Sequence, residues 1–136
     1  MKQPVAGLAL TLTAALAAGP AAADATRDAQ IARGEAVFDH NCASCHGPGI
    51  GNPGNAFKPG TDALRVKYEG DPPALLTERT DLTPDTVAFF VRNGVSIMPF
   101  FRKTEIGDDD LAALGAYLSR NNPDPVSYTH LTLPTS

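Results

Sequence analysis

The chain of 136 residues has no tryptophan, two cysteines and, apart from the initiator, one methionine. Two cysteines exclude the multi-bridge disulfide framework on which small exported domains commonly rely. Basic residues are the minority charge, 11 Lys plus Arg against 15 Asp plus Glu, and a net charge of -4 argues against a nucleic-acid binder, which needs a basic face to neutralise phosphates. The longest apolar run, 5–18, is too short to span a bilayer. No stretch alternates apolar and polar residues convincingly, so strands are not expected and the class is all-α. The length supports one domain, and 12 Gly with 12 Pro predict long loops. A loop-rich acidic domain of this size needs a staple other than disulfides.

Both ends differ from the middle. Residues 1–23 carry one charge, Lys2, then the apolar run and the small-residue site Ala21-Ala22-Ala23, the pattern of a secretory signal peptide. Cleavage after Ala23 starts the mature domain at Asp24, and export to a periplasm is expected, with no stable membrane insertion afterwards. Residues 126–136 (VSYTHLTLPTS) contain no charged side chain, whereas 24–125 hold 10 Lys plus Arg and 15 Asp plus Glu. The tail resembles a sequencing adapter translated in frame and is read as artefactual or disordered, leaving 24–125 as the folded domain.

Within that domain stands Cys42-Ala43-Ser44-Cys45-His46. A C-x-x-C-H element in an exported chain is the attachment motif of a c-type heme: the two thiols form thioethers with the two vinyl groups, and the following imidazole is placed under the iron. Three other chemistries compete. A thioredoxin-like dithiol wants a strand before the motif, and none is seen. A zinc site built from His40, Cys42, Cys45 and His46 crowds four ligands into seven residues with no second pair downstream. A plain disulfide across so short a loop removes little chain entropy.

A six-coordinate iron needs a second axial ligand. Met98 is a side chain of the right chemistry, in a loop stiffened by Pro99; the alternative for it is a gap-filling core residue. His40 lies too near the motif to reach the other face, and His130 lies in the suspect tail. His46/Met98 ligation raises the reduction potential relative to two imidazoles and leaves no vacant position, which favours electron transfer over oxygen chemistry.

Three helices are expected around this centre. In 28–41, Ile31, Gly34, Val37, Phe38 and Asn41 recur at helical spacing, and Gly34 demands a reason such as a close crossing. In 83–94, Thr83 reads as N-cap, Pro84 as first-turn residue and Gly94 as stop, with Val87, Phe90 and Val91 facing the heme. In 108–120, Asp108 is expected to cap, Arg120 to complement the end, and Leu111, Leu114, Tyr117 and Leu118 to form the buried stripe. The rest, 47–81, reads as loop with a helical turn near 74–79.

The C-x-x-C-H motif, Gly34/Phe38 set against Leu114/Tyr117, and the R-N-G-x-x-x-M-P run at 92–99 together resemble class I cytochromes c over about 31–120. The resemblance implies the class I cytochrome c fold, in which N- and C-terminal helices cross around one covalently attached heme. R-N-G-V-S-I-M-P-F-F followed by D-D-D-L and A-Y-L-S is further similar to the cytochrome subunits of flavocytochromes of the p-cresol methylhydroxylase and eugenol hydroxylase type. That likeness implies a flavoprotein dehydrogenase subunit as electron donor, a downstream electron acceptor, and a non-catalytic role for this chain. The loop after His46 is long for such a subunit and lacks a plain G-P-x-L; by the resemblance, a carbonyl there accepts the His46 ring N–H, Pro59 being the choice and Pro48 the next. Docking is expected at the exposed heme edge near the attachment loop and the Met98 loop, with Phe100 and Phe101 as apolar contacts and Arg102 and Lys103 as local positive charge; the alternative for these four is a packed Phe pair and a solvated basic turn. A free periplasmic shuttle between respiratory complexes and a heme-based sensor are the other functions weighed.

Overall fold

The computed structural model describes residues 20–124. Nineteen of the residues in the signal-peptide reading of 1–23, and the whole tail 126–136, lie outside the described residues. Five α-helices follow one another: α1 (Pro20–Asn41), α2 (Ala43–His46), α3 (Pro59–Tyr68), α4 (Pro84–Asn93) and α5 (Asp108–Leu118), with a 3-10 turn at Leu76–Glu78. No strand occurs among the described residues beyond a single bridge between Val95 and Met98, so the class is all-α as expected.

Helix α1 begins earlier than the apolar pattern indicated. Its first turns are alanine-rich, and alanine carries the strongest helix propensity, so the helix extends upstream without an apolar face to guide it. From Ile31 onward the expected stripe is real. Phe38 is buried, and Ile31 and Val37 pack against the core.

The crossing of α1 and α5 organises the fold. Gly34 meets α5 where a methyl would overlap the Ala113 carbonyl and stand 2.7 Å from Tyr117 Cβ, so only glycine lets the two backbones approach this closely. Phe38 packs on Tyr117 with ring centroids 5.8 Å apart, and Leu114 between them is completely buried. Helix α4 crosses α5 at Gly115, against Pro84, and adds Val87 and Val91 to the same core; Leu82 and Ile106 complete it. The α4 boundaries match the sequence reading. Thr83 Oγ1 accepts the Thr86 N–H at 3.1 Å, Pro84 is the first helical residue, and Gly94 at φ 67° ends the helix.

Of the α4 residues expected to face the heme, Val87 and Val91 are buried and Phe90 stands 38% exposed, edge-on to Phe89. Two expectations need correction. Asp108 does not cap α5: Gly107 occupies that position, and the Asp108 carboxylate is taken by Arg92 and Lys103 instead. Residues 47–81 are mostly loop, and the helical turn expected near 74–79 is present as the 3-10 turn at Leu76–Glu78, but a ten-residue helix, α3, lies in them that was not expected. Its signals were local ones, Pro59 in the first turn, Asp62 near the positive end and Arg65 and Lys67 near the negative end, without a strong apolar stripe to announce a helix.

Past α5, Arg120 donates to the carbonyls of Tyr117 at 2.6 Å and Thr77 at 3.2 Å, Asn121 donates to Thr77 and Asn122 to Leu82. These bonds tie the chain after α5 to the segment before α4. No described helix is long and apolar enough to cross a membrane.

Candidate functional site

Helix α2 is a single turn, and it is the turn that carries the chemistry. The backbone runs straight on from α1, Cys42 N–H donating to the Phe38 carbonyl at 2.8 Å, and then tightens so that Cys45 and His46 both donate to the Cys42 carbonyl at 3.0 and 2.8 Å. Cys42, Cys45 and His46 are thereby brought together at the end of the helix that α5 anchors. Both thiols are free, Cys42 half-buried and Cys45 exposed. Burial, with a smaller contribution from Cys45, pushes the Cys42 thiol up to about 11, which keeps it protonated at neutral pH.

His46 is held from the other side by the start of α3. Gly60 lies so close to the ring that a methyl there would be 2.7 Å from His46 Cε1 and 2.8 Å from Nδ1. Around it, Lys58 Nζ donates to the Ala43 carbonyl at 2.7 Å, and the buried Thr61 hydroxyl reaches the carbonyls of Gly47 at 3.2 Å and Cys45 at 3.5 Å. Lys58 is a second donor to the Ala43 carbonyl, which already accepts the Gly47 N–H at 3.0 Å, while Thr61 serves carbonyls at the end of α2. Lys58, Gly60 and Thr61 were not singled out from the sequence; the Pro59 helix-start signal was the clue available. The bond expected from His46 to the Pro59 carbonyl is not formed. Pro59 is the first residue of α3, so its carbonyl enters the helix ladder, and His46 Nδ1 is buried with no hydrogen-bond partner.

The orphaned Nδ1 is the ring N–H for which a carbonyl was expected, so ligation would fall to the other ring nitrogen, and the residues are tested against a heme by their donor set. Burial lowers the His46 pKa, which favours the neutral ring, the form able to ligate a metal. Two free thiols at the required spacing stand on the same turn. The set fits a c-type heme. Among the described residues no group of three or more His, Cys, Asp and Glu side chains is arranged to hold a bare metal ion.

Met98 sits in a separate element, the connection from α4 to α5. Val95 and Met98 exchange two backbone bonds, 3.1 and 2.9 Å, around a tight turn in which Ser96 takes φ 53°. Gly94 lets the chain double back: a methyl there would stand 2.6 Å from the Met98 carbonyl oxygen. Met98 itself is half-buried, and Ile97 and Phe100 on either side of the Met98-Pro99 pair are exposed. Phe100 and Phe101 part ways, since Phe101 packs on the core and donates its N–H to the Val91 carbonyl at 2.8 Å. Arg102 and Lys103 do not offer free positive charge. Arg102 pairs with Glu105, and Lys103 donates to Asp108 at 2.8 Å.

The family model described as "Cytochrome C oxidase, cbb3-type, subunit III" matches residues 29–118. No curated protein and no solved structure gives a match.

Proposed function

The chain belongs to the cbb3-type cytochrome c oxidase subunit III family and is a class I c-type cytochrome, a heme-dependent electron-transfer protein; from this premise we propose an exported, periplasmic carrier with one heme c held by thioethers to Cys42 and Cys45 and ligated axially by His46 and Met98. The observation that carries the reading is the single helical turn that gathers both free thiols and a neutral, unpartnered imidazole. The heme supplies a one-electron iron couple in an apolar setting. The protein's part is to fix it. Cys42 and Cys45 would keep it from being lost, Gly60 holds the His46 ring, and Met98 would be its second protein ligand. A heme held by two protein ligands would suit electron transfer.

The donor in this reading is a flavoprotein dehydrogenase subunit, with a downstream acceptor taking each electron onward. The likeness of 92–101 to flavocytochrome subunits supports it. A second reading, a shuttle between respiratory complexes, is favoured by the oxidase-subunit description of the family. Co-purification of an FAD-containing protein that reduces the cytochrome supports the first; its absence together with reduction by a respiratory complex supports the second.

The ligand set has its own test. Ferric wild-type protein should show the sulfur-to-iron charge-transfer band, and Met98→Ala should lose it and bind carbon monoxide when reduced. A wild type without the band that binds carbon monoxide readily overturns the carrier reading.

A further inference from the structure

Between Gly94 and Gly107 the chain is held by the Val95–Met98 turn, by the Phe101 N–H on the Val91 carbonyl, by a turn in which Glu105 and Ile106 donate to the Arg102 carbonyl, and by Phe101 and Ile106 packing on the core. To these, one side chain from the last turn of α4 adds bonds that span the segment. Arg92 Nη1 donates to the carbonyls of Phe101 at 3.1 Å and Ile106 at 2.9 Å, and its Nη2 donates to Asp108 Oδ1 at 3.1 Å. The guanidinium is largely shielded, with 22% of the side chain exposed, so its two bonds to the carbonyls compete little with water, whereas the Asp108 carboxylate it also meets is exposed. Asp108 is also held by Lys103, which adds a second strap from within the loop.

A cation at the end of a helix ordinarily serves that helix's own carbonyls. Arg92 instead spans the loop, gripping it just after the Met98-Pro99 pair, again at Ile106, and at the first residue of α5. The guanidinium reaches these three acceptors from two separate nitrogens of a planar fork; a lysine ammonium has three donors but on a single atom, and reaches part of them.

From this geometry we infer that Arg92 is a positioning residue for Met98, a latch that holds the 94–107 loop closed so that the thioether is presented at its axial position. The inference rests on the His46/Met98 reading of the site. A thioether is a weak ligand, and its occupancy depends on how much loop freedom must be surrendered to present it. With the latch intact that freedom is already removed. Without it the loop opens more readily and another ligand can take the position.

The test uses the holoprotein in the ferric state, with two readouts: the sulfur-to-iron charge-transfer band, and the apparent affinity for added imidazole, which must displace Met98. Arg92→Met should weaken the band and raise the imidazole affinity roughly tenfold or more, the scale of losing a shielded hydrogen bond from a charged donor. Arg92→Lys should fall between this and wild type. Asp108→Asn, which changes an exposed side chain and leaves both carbonyl bonds in place, should give a smaller shift in the same direction and serves if Arg92→Met does not fold. Leu118→Ala, a core truncation far along α5 from the loop, controls for general destabilisation and should lower the melting temperature without moving either readout. The latch is refuted if the Arg92 variants, or Asp108→Asn alone where those do not fold, keep the wild-type band and imidazole affinity, or if Leu118→Ala shifts them equally. A wild type with no band overturns the His46/Met98 reading and takes the latch with it, so the two failures are distinguishable.

Discussion

At the residue scale, two glycines decide what the site can hold. Gly34 was suspect in the sequence because glycine costs a helix about 1 kcal/mol relative to alanine, and that cost needed a cause. Gly60 carried no such signal, sitting just after a proline where a loop was expected. Yet it is Gly60 whose missing side chain makes room for the His46 ring. Gly60→Ala is therefore expected to displace the imidazole and lower covalent heme incorporation, read as the ratio of heme to protein absorbance in purified protein. Unchanged incorporation together with an unchanged axial-ligand spectrum would show that the ring has slack the geometry does not suggest.

At the scale of elements, the α1/α5 crossing sets the position of everything downstream. Helix α2 grows out of the end of α1, and α5 anchors that end through Phe38, Leu114 and Tyr117. Gly34→Ala tests the crossing. Alanine would gain about 1 kcal/mol of helix propensity, but its methyl collides with the Ala113 backbone and Tyr117 Cβ, and overpacking of a close-packed interface typically costs about 1–3 kcal/mol. Because a backbone carbonyl cannot swing aside as a side chain can, the collision should win. A net loss of stability in denaturant titration is expected, and a gain would mean that the helices can separate at little cost. Helix α4 illustrates the converse, an element whose cap, first turn and stop are all chemically explicit, and whose boundaries were legible for that reason.

At the scale of the whole molecule, nine buried apolar residues form the core among the described residues while several large apolar side chains remain exposed, so this part of the polypeptide alone builds a modest interior. Ion pairs fasten the periphery. Arg79, buried and stacked on Tyr68 at 4.8 Å, makes two bonds to Asp81, at 2.8 and 2.6 Å. The Arg79 hydrogen bonds hold the Asp81 carboxyl below its ordinary 3.8. A carboxylate depressed in the folded state stabilises the fold above its unfolded value, and that contribution is lost as the pH falls from 3.8 through the folded value. Asp81→Asn should accordingly melt at a lower temperature than wild type at neutral pH, with the gap narrowing below about pH 3.8 as the wild type loses the same interaction. A gap that stays constant across that range would mean the pair contributes nothing that depends on charge.

Much of the molecule could be read from the order of its residues. The attachment motif, the α4 punctuation, the stripe on α5 and the need for a close crossing at Gly34 are local signals, each set by covalent spacing or by backbone preference within one turn or two. What only the tertiary structure decided lies between segments distant in the chain. The pairing of Arg92 with carbonyls beyond Met98, the use of Asp108 as a partner instead of a cap, the neutralisation of Arg102 and Lys103, and the seating of His46 against Gly60 all depend on which groups folding brings within a few ångströms. Charge and hydrogen-bonding capacity are written in the sequence; their partners are chosen by three-dimensional distance, which spacing along the chain does not encode.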